Sequence, residues 1–321
     1  MTEDVNAENN TESARTILVT VGASALGQTV IRELKARDYK VYGTAGTSAE
    51  ADAIRAVGGV PVYPDLSRAS EIASTLKMID ARTIINLYPQ TFNSVPYRVT
   101  AWDGEQLVAS AEALAEAASA TSVTYIIHTS FAFVYAPSGT PVDEDGKLTA
   151  DNAIVKSVID AENAVTSADI NACILRTGYV YGPGEESFVA LRDQLRTGRP
   201  VVSEDHAANW IHTNDLANAI LLTMEKQPEN TVLNIVDDQP ITTREFLVLY
   251  GKGLGVGEPS GVPGFLRGMF SNKVATALLA TDSRASNARA KDALGWQPKY
   301  PTVEVGLDDT LLSWRAGEVT T

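Results

Sequence analysis

The sequence predicts a doubly wound α/β fold, a parallel sheet with helices on both faces, followed by a smaller C-terminal region. Three observations carry this. After a polar start, the apolar run Thr16-Ile-Leu-Val-Thr leads into a small-residue turn and then an amphipathic segment reaching Lys35, which reads as strand, turn and helix. Short apolar runs then alternate with helix-period segments as far as Arg176, and such alternation implies right-handed crossovers between parallel strands. Finally, 321 residues that are 44% hydrophobic and 21% charged can bury a sizeable core, as one large unit or a large unit with a smaller partner.

Composition also excludes classes of function. A net charge of −14 argues against a nucleic-acid partner, because phosphate-backbone affinity depends on clustered Lys and Arg. No apolar run reaches the roughly 18 residues of a membrane span. The single cysteine, Cys173, lies in the apolar run Asn171-Ala-Cys-Ile-Leu and reads as a buried structural thiol. Residues 1–14 are polar and acidic, lack the pattern of a signal peptide, and read as a disordered tail. A cytoplasmic setting is expected.

The elements follow in order. Strands are expected at 40–43, 60–63 and 83–87, with helices at 48–56 and 67–78 between them. A long Ala-rich helix at 102–118 precedes a strand at 123–128, a helix at 152–166 and a strand at 170–176. Beyond Gly178 the alternation loosens. Helices are expected at 187–196, 215–226 and 242–254, a strand at 232–236, two further helical segments, and a closing helix near 303–314. Thr242 and Glu245 have the spacing of a capping box. Residues 255–263, rich in Gly and Pro, read as a surface loop.

In a doubly wound sheet, ligands sit beyond the carboxyl ends of the strands, so Val21 to Gly27, residues 88–90 and residues 129–133 are expected to line one crevice. A turn that opens a helix, as here, suits the pyrophosphate of a dinucleotide, which meets free N–H groups and the positive end of the helix dipole.

Several spaced motifs resemble those of the extended short-chain dehydrogenase/reductases, the NAD-dependent epimerase/dehydratase family. Leu175-Arg-Thr-Gly-Tyr-Val-Tyr-Gly-Pro-Gly184 is similar to that family's strand-end signature, and Ser286-Asn-Ala-Arg-Ala-Lys-Asp-Ala-Leu-Gly-Trp-Gln-Pro298 to its C-terminal signature. Val134-Tyr135, Pro141-Val-Asp-Glu-Asp145, Trp210-Ile-His-Thr-Asn-Asp-Leu-Ala217 and Asn234-Ile-Val-Asp-Asp238 add to the match, which runs from Thr16 to Trp314. The resemblance implies a Rossmann-type cofactor domain over residues 15–184, with 209–236 returning to it. A smaller substrate-type domain would take 185–208 and 237–316, leaving a short tail at 317–321.

What the resemblance implies about the site departs from the family at several positions. The family's opening turn carries three glycines, and the aligned Thr20-Val-Gly-Ala-Ser-Ala-Leu-Gly27 keeps only Gly27, the one that serves helix-on-strand packing. Val21 is β-branched and unsuited to positive φ, and Ser24 adds a side chain where phosphates would press. Two readings stay open. Gly22 takes the turn one residue late and the Ser24 hydroxyl donates to a phosphate, so that Gly22, Ser24, Ala25, Leu26 and Gly27 hold NAD or NADP; or the turn is purely structural. The end of the second strand, Gly43-Thr-Ala-Gly-Thr47, has neither the acid nor the arginine that separates NAD from NADP. Asp65, followed by Leu66, matches the family aspartate that meets the adenine amino group, and it reads equally as a helix N-cap. Tyr88-Pro89 stands where small residues usually flank the cofactor.

The family's chemistry resembles proton transfer by a tyrosine four residues before a lysine, aided by a Ser or Thr hydroxyl. Lys156 fits the lysine, as a ribose ligand or as a solvated helix charge. The tyrosine position is Asn152, which exchanges no proton near neutrality, and the hydroxyl position is Phe131. Ser130, Thr129, Tyr135, Tyr181 and Tyr88 are the candidate substitutes. On the substrate side, Ala208 takes the place of an arginine that grips nucleotide-sugar diphosphates, while Arg284 and Arg289 are close by in the pattern. His128, His206 and His212 show no metal-ligand spacing, so no metal is expected. The resemblance thus implies either a non-catalytic module, nucleotide-binding or structural, as a subunit of a larger assembly, or an active NAD(P)-dependent epimerase, dehydratase or reductase with relocated groups. The helices at 102–118 and 152–166 correspond to the pair that forms a four-helix dimer interface in the family, so a homodimer is the implied partner.

Overall fold

Strand β1 (Thr16–Val19) is buried along its whole length and lies inside a seven-stranded sheet. On one side of it come β2 (Lys40–Thr44) and β3 (Val60–Val62); on the other come β4 (Thr83–Asn86), β5 (Tyr125–Phe131), β6 (Asn171–Thr177) and β10 (Thr231–Ile235). Every pairing in this sheet is parallel. Strands covered on both faces read as near-continuous apolar runs, which is why these were legible. The computed structural model describes residues 15–87, 102–198, 205–262 and 273–319. The expected tail at 1–14 and the Tyr88-Pro89-Gln90 stretch lie outside the described residues.

One face of the sheet is covered by α3 (Ala69–Ile79), α4 (Gly104–Ser119) and α5 (Ala153–Thr166), the other by α1 (Ala25–Lys35), α2 (Ser48–Ala56), α7 (Thr213–Lys226) and α10 (Ala288–Leu294). Each face therefore has its own apolar core. Ile126 and Ile84 point into the first and Ile127 and Ile85 into the second, as the two-residue strand period requires. Cys173 belongs to the second core, fully buried, with its thiol pushed up to about 12 by burial.

The smaller C-terminal region rests on two-stranded pairings that had no periodic signal. Strand β7 (Tyr179–Tyr181) pairs in parallel with β9 (Trp210–His212), and β8 (Ala207–Ala208) pairs antiparallel with β11 (Ile241–Thr242). Helices α6 (Glu186–Arg196), α8 (Thr243–Leu254), α9 (Lys273–Leu279) and α11 (Val303–Val319) pack around them. The closing helix runs on through residues expected to form a tail. The capping box predicted for α8 is present, with Thr242 and Glu245 exchanging side-chain and backbone bonds. Aromatic contact joins these pieces, with Trp210 stacked on Phe246 at 3.9 Å and Phe188 on Tyr250 at 4.3 Å between ring centroids.

A buried polar chain ties β6 and β10 to α5, to the segment after β5 and to α10. Arg176 on β6 donates to Glu162 on α5 through Nε at 3.0 Å and Nη2 at 2.6 Å, and through Nη1 to the Tyr135 hydroxyl at 3.0 Å. Tyr135 donates in turn to Asn234 on β10 at 2.7 Å. The Asn234 N–H donates to Glu144 at 2.7 Å, and Glu144 lies 3.1 Å from the Arg289 guanidinium on α10. Removing one partner of a buried ion pair strands the other charge, which costs about 3–5 kcal/mol, whereas replacing both by apolar groups of similar size is often neutral. Urea unfolding of Arg176→Met is therefore expected to show a loss of about that size, and Arg176→Met with Glu162→Leu a much smaller one.

Candidate functional site

The turn between β1 and α1 is held by its neighbours. Thr20 N–H donates to the Ile85 carbonyl at 3.0 Å, and the Val21 N–H donates to Thr44 Oγ1 at 2.9 Å, so the turn is fastened to the ends of β4 and β2. Val21 has φ 51, the left-handed region, while Gly22 is not among the positive-φ residues. This corrects the expectation that Gly22 takes the turn one residue late. The strained position stays with the β-branched residue. Gly22 serves a different need, because a Cβ there would come within 3.0 Å of Gly43 Cα and 3.1 Å of Ile31 Cδ1. Gly27 is tighter still, since a Cβ would fall 2.6 Å from the Val21 carbonyl oxygen. Its role is the close packing that the sequence assigned to it.

Ser24 is the N-cap of α1, and its Oγ accepts from Gly27 N–H at 2.8 Å. The Gln28 N–H goes to the Ser24 carbonyl at 2.8 Å. Of the first-turn donors that a helix leaves without internal acceptors, those of Ala25 and Leu26 remain to meet an anion. The Ser24 hydroxyl proton also remains, because the cap uses only its lone pair. Gly184, at φ 87, brings the loop after β7 against this helix start, where a Cβ would meet Ala25 Cβ at 3.3 Å.

Beneath the turn, a second polar chain joins the ends of β1, β4 and β5. Leu87 N–H donates to Thr20 Oγ1 at 2.8 Å, so the Thr20 proton goes to Asn86 Oδ1 at 2.7 Å. That fixes the amide, and Asn86 Nδ2 donates to His128 Nδ1 at 2.8 Å. Burial pushes the His128 imidazole down to about 4, so it is neutral with its proton on Nε2. Thr129 Oγ1 donates to the Asn86 carbonyl at 3.2 Å.

The end of β5 turns aromatic. Phe131 is 3% exposed, stacks on Phe133 at 5.0 Å and meets Trp102 edge-on at 6.5 Å. With Tyr179, Ala208, Asn209 and Ser283 these two phenylalanines line a narrow cleft. Ser130 donates to Glu162 Oε1 at 2.5 Å. Asn152 is the N-cap of α5, its Oδ1 accepting from Val155 N–H at 2.9 Å. Lys156 is 63% exposed and paired with Asp160 at 2.5 Å. The structure therefore does not bring Lys156 and Ser130 together. The buried face of α5 carries Ile154, Val155, Ser157, Val158, Ala161, Glu162 and Val165, and its one titratable group, Glu162, belongs to Arg176.

A family model described as the NAD dependent epimerase/dehydratase family matches residues 17–235. The chain belongs to the NAD-dependent epimerase/dehydratase family. A 3-diazoavenalumate denitrifying reductase from a Streptomyces species is 33% identical to it over 207 residues, 60% of this chain and 67% of that protein. Two solved structures show the same fold. UDP-glucose 4-epimerase from Thermotoga maritima, with UDP-glucose, gives a TM-score of 0.77 at 20% identity, covering 94% of this chain and 99% of its own. The human epimerase family protein SDR39U1 (isoform 2), with NADPH, gives 0.76 at 20% identity, covering 92% and 99%.

Set against the family's proton chemistry, each candidate among the described residues is engaged elsewhere. Tyr135 is held in the Arg176 network, and the Tyr181 hydroxyl, buried, reaches the Thr302 carbonyl at 3.4 Å. Tyr88 lies outside the described residues. Asp65 accepts from the Ser67 N–H at 2.9 Å and hydroxyl at 2.6 Å, which hold its carboxyl below the usual range. It shapes the approach to α3, whose N-cap residue is Arg68 rather than Asp65. Leu66 packs half-buried against the first core. Arg284 donates to the Ser138 carbonyl at 2.7 Å, and Arg289 is shared between Glu144 and Asp145, so both are used within the chain. His212 caps α7, and His206 is exposed. Among the described residues no group of three His, Cys, Asp or Glu side chains could hold a metal, and no helix is long and apolar enough to cross a membrane.

Sequence reasoning missed one group. Glu50, in the first turn of α2, places Oε2 2.6 Å from the Gly46 N–H, so a carboxylate stands at the end of β2 after all. The signal was an acid four residues beyond a glycine, a side-chain reach that strand and helix periods do not encode.

Three expected outcomes follow from the turn and the chain beneath it. Val21→Gly removes left-handed strain of about 1–2 kcal/mol and adds unfolded-state freedom of somewhat less. Thermal melts are expected to show it neutral to slightly stabilised, while Gly27→Ala loses about 1–3 kcal/mol by overpacking. For His128 the folded-state affinity for protons is depressed, so its contribution is present above about 6.5 and lost as pH falls toward about 4. Across that window the wild type is expected to lose stability more steeply than His128→Gln, by about 1.4 kcal/mol per pH unit, in urea titrations at stepped pH.

Proposed function

We propose that this chain is a dinucleotide-binding member of the family that has given up the tyrosine, lysine and serine proton relay and acts as a nucleotide-binding module. The observation that carries the reading is Val21 at φ 51. A β-branched residue in the left-handed region is a strained state that persists only where its surroundings enforce it, and such strain clusters at ligand sites. The residues at the turn fit a diphosphate, with donors from Ala25, Leu26 and the Ser24 hydroxyl at the positive end of α1. At the reacting end they do not supply a proton, since Phe131 and Asn152 replace the hydroxyl and the phenol and Lys156 is held by Asp160.

A second reading, a reductase, is favoured by the 33% identity with the denitrifying reductase. A bound dihydronicotinamide supplies hydride. The wall of Phe131 and Phe133 is apolar, and among the described residues none of the candidates for the proton relay is free to donate, so the acceptors that suit it are ones already electron-poor enough to take hydride alone. A homodimer through α4 and α5 would set Glu112, Glu116 and Asp160, which line the shallow groove between those helices, near their copies.

Calorimetric titration with NAD, NADH, NADP and NADPH tests the proposal. Micromolar binding of at least one is the expected result, and absence of heat with all four overturns it. Oxidation of the bound reduced form on adding an aryl diazonium would favour the reductase over the module.

A further inference from the structure

We infer that Glu50 makes the chain select NAD(H) against NADP(H). The inference rests on the dinucleotide-binding reading above and adds a specificity determinant to it.

Strands β1 and β2 run parallel with Val19 opposite Gly43, and the Val21 N–H to Thr44 Oγ1 bond of 2.9 Å fixes the turn beside the strand end. A nucleotide whose diphosphate lies on the turn therefore extends its adenosine toward residues 44–47, where the 2′-substituent is read in folds of this kind. In the sequence alone this stretch offers no charge. In the structure it carries one, because α2 starts at Ser48 under a Thr47 cap and its first turn swings Glu50 back onto Gly46 N–H at 2.6 Å. The backbone donor that a 2′-phosphate would take is already held by a carboxylate.

Among the described residues, nearby cations do not offset this charge. The first basic side chain after β2 is Arg55, and it is tied to Asp52 at 2.7 Å. Arg68 is divided between Asp65 and Glu71, each at 3.2 Å. A 2′-phosphate arriving here must displace Glu50 from Gly46 and then remain beside a like charge. An uncharged ribose 2′-hydroxyl meets no such repulsion and can donate to the carboxylate. The sign of the preference follows from that difference, and its size is limited because Glu50 is exposed and screened by salt.

Titration calorimetry of NADH and NADPH against wild type, Glu50→Gln and Asp80→Asn tests this. Asp80 is an exposed acid at the opposite end of the sheet and controls for net charge. In wild type and Asp80→Asn, NADH is expected to bind about tenfold or more tighter than NADPH at low salt, with the ratio shrinking as ionic strength rises. In Glu50→Gln the ratio is expected to fall to about threefold or less, through tighter NADPH binding. Circular dichroism melts check that the variants fold like wild type. Wild type that binds NADPH as tightly as NADH, or a ratio unchanged in Glu50→Gln, overturns the inference and leaves the dinucleotide reading standing. Failure of both nucleotides to bind wild type overturns that reading and this inference with it.

Discussion

Helix α1 leaves strand β1 so closely that Gly27 passes within a missing Cβ of the Val21 carbonyl. The rest of the crevice depends on this constraint. The carbonyl can stand there only if Val21 turns left-handed, φ 51, and it is kept so by the Thr44 hydroxyl on its N–H and by Ser24 N–H on its carbonyl at 3.1 Å. The same arrangement sets the direction of α1 and leaves the N–H groups of Ala25 and Leu26 facing out of the helix start. It also brings the end of β2 alongside, which is how Glu50 comes to share the site. A turn with glycine at this position would relax without penalty. With valine there, the shape is enforced by tertiary contacts rather than by local preference.

The other end of the crevice follows a different logic. At the positions where the resemblance implies groups that move protons, this chain has groups that pack or cap. Phe131 extends an aromatic wall, Asn152 caps α5, and Ser130 is drawn to the buried Glu162 and Arg176 pair. The network that runs from Arg176 through Tyr135 to Asn234 and Glu144 joins β6 and β10 to the segment after β5, so the polar groups nearest the strand ends stabilise the fold. Their protons are committed. On the proposed reading, such a crevice holds a nucleotide, and its described residues offer no acid to a substrate.

Much of the fold was legible because its strands are buried on both faces and its helices have clear periods; the helix predicted for residues 48–56 and the capping box at Thr242 match the structure in detail. The short strands β7, β8, β9 and β11 were not, because two or three residues carry no period and their pairing depends on contacts distant in sequence. The site was legible where chemistry was local. Gly27 announced its packing role, whereas Val21 reads from the sequence as unsuited to positive φ and takes it because bonds from Thr44 and Ser24 hold it there. Lys156 was harder to place, since a helix as apolar as α5 does not declare its phase from spacing alone, and the exposed pairing with Asp160 emerges only once Glu162 is fixed against Arg176. Glu50 was invisible for a related reason, because its bond to Gly46 depends on the fold of one turn.

The central claim is that the strained turn is kept for a diphosphate. A crystal structure grown with NADH tests it most directly. The account predicts density for the diphosphate against the Ala25 and Leu26 N–H groups, with Val21 still at positive φ. Val21 relaxed to negative φ with no nucleotide at the helix start, or a nucleotide bound away from this turn, would contradict it.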